Sequence, residues 1–166
     1  MIVFDSSTII LLTKIEILDA FLLNFPDRTL VSLKIKLEVE KGKREDTHLI
    51  AKLIKEKRIE VLRPKQINLI QKLMEDFNID VGEAEALTLA LQEKNCIIAT
   101  DDRNAIKACK ALRLDFVTAI AVLIRVFEKR LIDRNEALIR LKKLQSIGRY
   151  KETIIEDAMN QIRGGG

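Results

Sequence analysis

Cys96-Ile97-Ile98-Ala99-Thr100-Asp101-Asp102 is a run of small and β-branched residues that stops at two acids. So short and continuously apolar a run reads as a strand buried on both faces, and such strands belong to parallel sheets covered by helices on either side. The start of the chain repeats the pattern: Met1-Ile2-Val3-Phe4 is apolar and Asp5 ends it. Thr29-Leu30-Val31, Ile59 to Leu62 and Phe116-Val117-Thr118 supply three further strands.

Helical periods fill the intervals. Ser6 to Lys14 follows the first strand with Ser6 or Ser7 as N-cap, and Ile15 to Asn24 continues until Pro26 closes it. Ser32 caps a helix from Leu33 to Lys41 that Gly42 stops. Asp46 to Lys57, Pro64 to Phe77, Glu83 to Glu93 and Asn104 to Leu112 follow. From Ala119 the chain is all helix: to Arg130, then from the cap Asp133 to Ser146, then after Gly148 to about Arg163, with Gly164 to Gly166 a frayed end. Strands alternating with helices make right-handed βαβ units. The expected architecture is therefore a three-layer α/β/α sandwich on a parallel five-stranded sheet, with extra C-terminal helices. Residues 1–130 form the α/β domain, and residues 131–166 a helical extension packed on it.

A chain of 166 residues with 48% hydrophobic and 33% charged residues is long enough to bury one ordinary core. Apolar runs such as Ala119 to Ile124 fall far short of the roughly 20 residues that a membrane span needs. No basic segment precedes Ile2-Val3-Phe4, so no signal peptide is read, and the expectation is a cytoplasmic protein without a membrane partner. Cys96 and Cys109 lack a metal-binding spacing and read as small core residues. A net charge of +4 mildly favours polyanionic partners. His48 reads as a surface residue, and Tyr150 as part of the linker before the last helix. With so few aromatics, the chain has no stacking platform for reading RNA bases.

The informative acids are those at strand ends. In parallel sheets, ligands bind beyond the carboxyl ends of the strands where the strand order reverses. Asp5 and the pair Asp101-Asp102 both fall there, and two acids in one rim repel unless a cation lies between them. Ser7 and Thr8 beside Asp5, and Thr100 beside Asp102, add hydroxyls that can orient a ligand. Glu38 shares a helical face with Ile35 and Val39, an unexpected place for an acid. Glu83 and Glu85 open a helix about 200° apart, so one of them faces the rim. Glu85 is preferred because Ala86, Leu89 and Ala90 continue its side. Pairing with the helix dipole accounts equally well for the other.

Four stretches in order, Ile2-Val3-Phe4-Asp5-Ser6-Ser7-Thr8, Ile35-Lys36-Leu37-Glu38-Val39, Gly82-Glu83-Ala84-Glu85-Ala86-Leu87-Thr88-Leu89-Ala90 and Ile98-Ala99-Thr100-Asp101-Asp102, resemble the PIN-domain ribonucleases, which include the VapC toxins of toxin and antitoxin modules. The resemblance covers about residues 1–130. It implies an acidic pocket of Asp5, Glu38, Glu85 and Asp102, with Thr8 and Thr100 beside it. Glu83 competes with Glu85 and Asp101 with Asp102 for their places. The toxin branch more often carries Asp where this chain has Glu85, which weakens the toxin label more than the nuclease label.

Hard oxygen ligands without His or Cys select Mg²⁺ or Mn²⁺, here on Asp5, Glu85 and Asp102. The implied activity is metal-dependent hydrolysis of RNA phosphodiesters. Arg103 and Lys107 would meet RNA first, then Lys34, Lys36, Lys41 and Lys43. The alternatives are a non-catalytic PIN-like module that binds RNA or protein, and an RNA-processing nuclease outside toxin and antitoxin systems. An aspartyl-phosphate phosphatase fits poorly, since Ser7 stands where it needs a second Asp. A receiver domain fits poorly too, with no Lys after the last strand. Leu138, Leu141, Leu144, Ile154, Ile155, Ala158 and Ile162 make the C-terminal helices apolar, either for packing on the core or as the surface of a homodimer or an antitoxin complex.

Overall fold

The computed structural model describes residues 1–42 and 45–164; Lys43, one of the expected RNA contacts, and Gly165 and Gly166 of the expected frayed end lie outside them. The elements run β1 (Ile2–Phe4), α1 (Ser6–Lys14), α2 (Leu18–Asn24), β2 (Thr29–Ser32), α3 (Leu33–Lys41), α4 (Glu45–Lys55), β3 (Glu60–Leu62) and α5 (Ile67–Phe77). They continue with α6 (Val81–Gln92), β4 (Ile97–Ala99), α7 (Arg103–Leu112), β5 (Asp115–Val117), α8 (Ala119–Glu128), α9 (Arg134–Ile147) and α10 (Glu152–Gly164). All strand pairs are parallel, in the order β3-β2-β1-β4-β5. The expected fold class is the observed one.

Alternation along the strands divides the core. Ile2 and Phe4 of β1, Val31 and Ala99 point to one face, whereas Val3, Leu30 and Ile98 point to the other. The first face packs on Ile9 and Leu12 of α1, Phe21 of α2, Ile35 of α3, Ile50 and Leu53 of α4, and on α8, α9 and α10. The second packs on α5, α6 and α7 through Leu73, Leu87 and Cys109. Leu141, Leu144, Ile155, Ala158 and Ile162 belong to the same cluster as Phe4, so most of the apolar surface of the C-terminal helices is spent inside the fold. Ile139, Ile147 and Ile154 remain exposed on them.

Several boundaries move, two of them in the helices α5 and α2. The helix expected from Pro64 starts only at Ile67, after Gln66. The stretch expected as one helix from Ile15 is broken by Glu16, whose φ of 60° lies in the left-handed region, so α2 begins at Leu18. The central helix α6 is buried on nearly every side, from Gly82 and Ala84 through Ala90, as a helix apolar all round must be.

Candidate active site

The strand order reverses between β1 and β4, because the chain steps outward from β1 to β2 and β3 and then returns to build β4 and β5 on the other side. The crevice beyond the ends of β1 and β4 is thus the place for a ligand. Phe4 lies opposite Ala99, and the ladder extends one step further through the Asp5 N–H, which donates to the Ala99 carbonyl at 3.0 Å.

Asp5 is 1% exposed and begins α1 as its N-cap. Its Oδ1 accepts from the Thr8 N–H at 2.7 Å and from the Ser7 hydroxyl at 3.1 Å. This corrects the expectation that Ser6 or Ser7 caps the helix: α1 starts at once after the strand, so the acid takes the capping position. Ser6 instead donates to Glu38 Oε2 at 3.2 Å, linking α1 to α3. Asp5 Oδ2 is buried and has no hydrogen-bond partner among the described residues. Burial pushes the Asp5 carboxyl up to about 6, against the pull of the Thr100 and Thr8 side chains and the Thr8 amide, with the nearby charge of Asp101 adding to the rise.

Asp101 and Asp102 do different work. Asp102 caps α7, its Oδ1 accepting from the Asn104 and Ala105 amides at 2.8 Å each, while its own N–H donates to Thr100 Oγ1 at 3.3 Å. Asp101 is held on both oxygens. Its Oδ2 accepts from Thr8 Oγ1 and from the Ala119 N–H, both at 2.9 Å, and its Oδ1 accepts from the Tyr150 hydroxyl at 2.7 Å. Burial raises the carboxyl of Asp101, and burial together with that carboxylate raises the phenol of Tyr150.

Tyr150 is the residue that the sequence reading missed. It does lie between α9 and α10, but it is no idle linker residue. Its ring packs over Gly148, where a Cβ would collide with the Tyr150 Cε2. A glycine two residues before the chain's single tyrosine was the one available signal.

The two acids of α6 also separate. Glu83 closes a capping box: it accepts from the Asp80 N–H at 2.8 Å and donates its own N–H to Asp80 Oδ1 at 2.9 Å. Burial pushes its carboxyl up to about 7; the Asp80 amide opposes this, and the charges of Asp80, Asp102 and Asp5 add to it. Glu83 therefore shares a field with Asp5 and Asp102. Glu85 adds to the field at Lys34, whose ammonium is raised chiefly by its bond to Glu38, 2.8 Å away. Glu85 Oε2 is buried without a partner among the described residues. Ile35 and Val39 are buried, but Glu38 between them is 45% exposed at the edge of their face, which removes the oddity of its position.

Among the described residues, no three His, Cys, Asp or Glu side chains stand close enough to hold an ion as they are. Their chemistry nonetheless fits a hard divalent cation. Every donor is a carboxylate or hydroxyl oxygen, and Asp5 Oδ2 and Glu85 Oε2 are acceptors buried without a donor, a state that costs free energy until a cation or donor relieves it.

Of the expected RNA contacts, Arg103 and Lys107 are exposed at the start of α7. Lys34 pairs with Glu38 and Lys36 with Glu40. An apolar cavity of about 360 Å³ lies elsewhere, against Ile2, Phe21, Phe25, Ile97, Val122 and Val126, and reaches the first residues of β1 and β4 rather than the acids beyond their ends. No helix among the described residues is long and apolar enough to cross a membrane.

No curated protein and no solved structure gives a significant match to this chain. The sequence model of the PIN domain family matches residues 1–163, taking in the C-terminal helices as well as the sheet. By that match the chain belongs to the PIN domain family.

Proposed function

We propose that this protein is a metal-dependent endoribonuclease that hydrolyses RNA phosphodiesters. PIN domains are generally nucleases. The observation that carries the reading is Asp5: a fully buried carboxylate at the switch point of the sheet, one oxygen without a partner, in the field of Asp101 and Glu83. Burial of an acid with nothing to neutralise it is costly in a fold that could have placed Asn there. The cost is understandable if the site takes up a cation.

Asp5 and Asp102 would hold Mg²⁺ or Mn²⁺, with Glu85 contributing its partnerless oxygen. When bound, such an ion polarises a phosphodiester and lowers the pKa of water, so that no covalent enzyme intermediate is required. The Thr8 amide and the Ser7 hydroxyl fix the rotamer of Asp5, while Thr100 orients the Asp102 backbone. Arg103 follows Asp102 at the start of α7 and Lys107 lies a turn further along it, and both offset the repulsion between RNA phosphates and an acidic pocket. The choice of RNA rests on the four motifs that resemble the PIN-domain ribonucleases.

Purified protein is expected to cut single-stranded RNA with Mn²⁺, to stop when chelator is added, and to lose cleavage in Asp5→Asn. An Asp5→Asn variant that cuts as well as the parent removes Asp5 from the mechanism. Mn²⁺ binding without cleavage of any of several RNAs would favour the binding module instead.

A further inference from the structure

Asp101 is the point where three separate parts of the chain meet. Thr8 comes from α1, Ala119 from the first turn of α8, and Tyr150 from the segment between α9 and α10. All three donate to this one carboxylate, so both of its oxygens are engaged by the protein, in contrast to the single engaged oxygen of Asp5. Asp101 follows Thr100 directly, and Thr8 is also the residue whose N–H fixes Asp5. Whatever holds Asp101 therefore holds the hydroxyl of Thr8 and the end of β4 together.

The Tyr150 hydroxyl is that hold from the far end of the chain. Its ring is half-buried against the main core and seated over Gly148, whose φ of −98° any residue adopts. Glycine at this position thus serves the space the ring fills rather than the backbone. We propose that Tyr150 is a positioning residue of the active site: through Asp101, which is an anchor and not a metal ligand, it couples the C-terminal helix pair to the geometry of Asp5 and Asp102. This rests on the nuclease reading above.

The chain has one tyrosine and no tryptophan, so the intrinsic emission of the folded protein reports Tyr150 alone. A carboxylate that accepts the phenol proton quenches that emission. Asp101→Asn, with helix content checked by circular dichroism, is expected to raise it severalfold, and Gly148→Ala to raise it by unseating the ring.

The coupling itself is read from Mn²⁺ binding by electron paramagnetic resonance on the full chain. Tyr150→Phe keeps the ring and removes only the hydroxyl. It is expected to weaken Mn²⁺ binding by about ten-fold, the usual scale for a group that orients a ligand. The turnover number should fall while the KM for RNA stays unchanged, and Tyr150→Phe should add nothing in an Asp101→Asn background.

Unchanged emission in Asp101→Asn overturns the proposal. So does a Tyr150→Phe protein that melts earlier yet binds Mn²⁺ as the parent does, since the tyrosine would then be structural only. Parent protein that takes up no Mn²⁺ overturns the nuclease reading and the coupling with it, whereas normal uptake by both parent and Tyr150→Phe overturns the coupling alone.

Discussion

Replacing Asp5 by Asn should stabilise the metal-free protein at neutral pH, even though the nuclease reading requires the same change to abolish cleavage. The Asp5 carboxyl is pushed up from its ordinary 3.8 to about 6 by burial. The folded state therefore binds this proton more tightly than the unfolded chain does. Its contribution to stability is full below about pH 3.8, declines as pH rises, and is gone once pH has passed through about 6. At about 1.4 kcal/mol per pH unit of difference, the ionised acid costs the metal-free fold about 3 kcal/mol at pH 8.

Asn escapes that cost and keeps an oxygen for the Thr8 amide and the Ser7 hydroxyl, but its NH₂ takes the place of a partnerless Oδ2. The net gain is accordingly smaller, roughly 1–2 kcal/mol, or a rise in Tm of roughly 2–8 °C for a chain of this size. Thermal unfolding of both proteins in chelator across the range from about pH 5 to about pH 8 is the assay. The curves should diverge as pH rises. Saturating Mn²⁺ should then reverse the order, since only the parent gains by ligand linkage. Parallel pH dependence of parent and variant, or a variant less stable than the parent at pH 8 in chelator, would refute the reasoning.

The acids of α6 should part in stability. Glu83→Ala opens the capping box and should cost about 0.5–2 kcal/mol in chelator at about pH 5, a cost that shrinks as pH rises through the raised Glu83 carboxyl at about 7, whereas Glu85→Ala removes a partnerless buried oxygen and should cost less or nothing; chemical denaturation distinguishes them. Leu141→Ala should cost about 2–5 kcal/mol and leave a single unfolding transition, because Leu141 packs in the same cluster as Phe4 and Ile9; a separate early transition for the C-terminal helices would count against one shared core. Arg103→Ala and Lys107→Ala should each weaken RNA binding and lower the slope of log affinity against log salt by about 1, and an unchanged slope would remove that side chain from the RNA path.

Local patterns carried the fold because the three central strands, β1, β2 and β4, are short and apolar enough to be buried, and every strand is separated from the next by a helical period. The acids at the ends of β1 and β4 could be placed at the rim of the sheet in the same way, but the strand order that puts the switch point between those two strands is set by tertiary packing. What the sequence could not carry is the division of work among neighbouring acids. Whether Asp101 or Asp102 caps α7 is decided by one residue of turn geometry, and whether Glu83 closes a box with Asp80 depends on where α6 begins. The sequence reading began that helix at Glu83, two residues past its observed start at Val81, and so left the box unseen. Tyr150 is a different case. Its partner lies 49 residues away, and no periodicity links a tyrosine between two helices to the end of a strand.

Capping also explains how a fold can keep such acids ready for a cation. Asp5 and Asp102 each end a strand and begin a helix, and each commits Oδ1 to the first amides of that helix. The first amides of α1 and α7 thus donate hydrogen bonds to the two side chains. A capping acid contributes about 0.5–2 kcal/mol, and the Thr8 amide that supplies it is already part of the balance that leaves the Asp5 carboxyl at about 6. With Oδ1 locked, the direction of Oδ2 is set before any ligand arrives, so Asp5 and Asp102 lose little side-chain freedom on binding, and the adjustment falls to the other ligands. On the nuclease reading, a hydroxyl at position 5 would keep the cap and lose the site: Asp5→Ser should retain α1, raise stability in chelator and bind no Mn²⁺. Retained Mn²⁺ affinity in Asp5→Ser would mean that the cation is held without this oxygen, and that the two roles of Asp5 are not joined as its hydrogen bonds indicate.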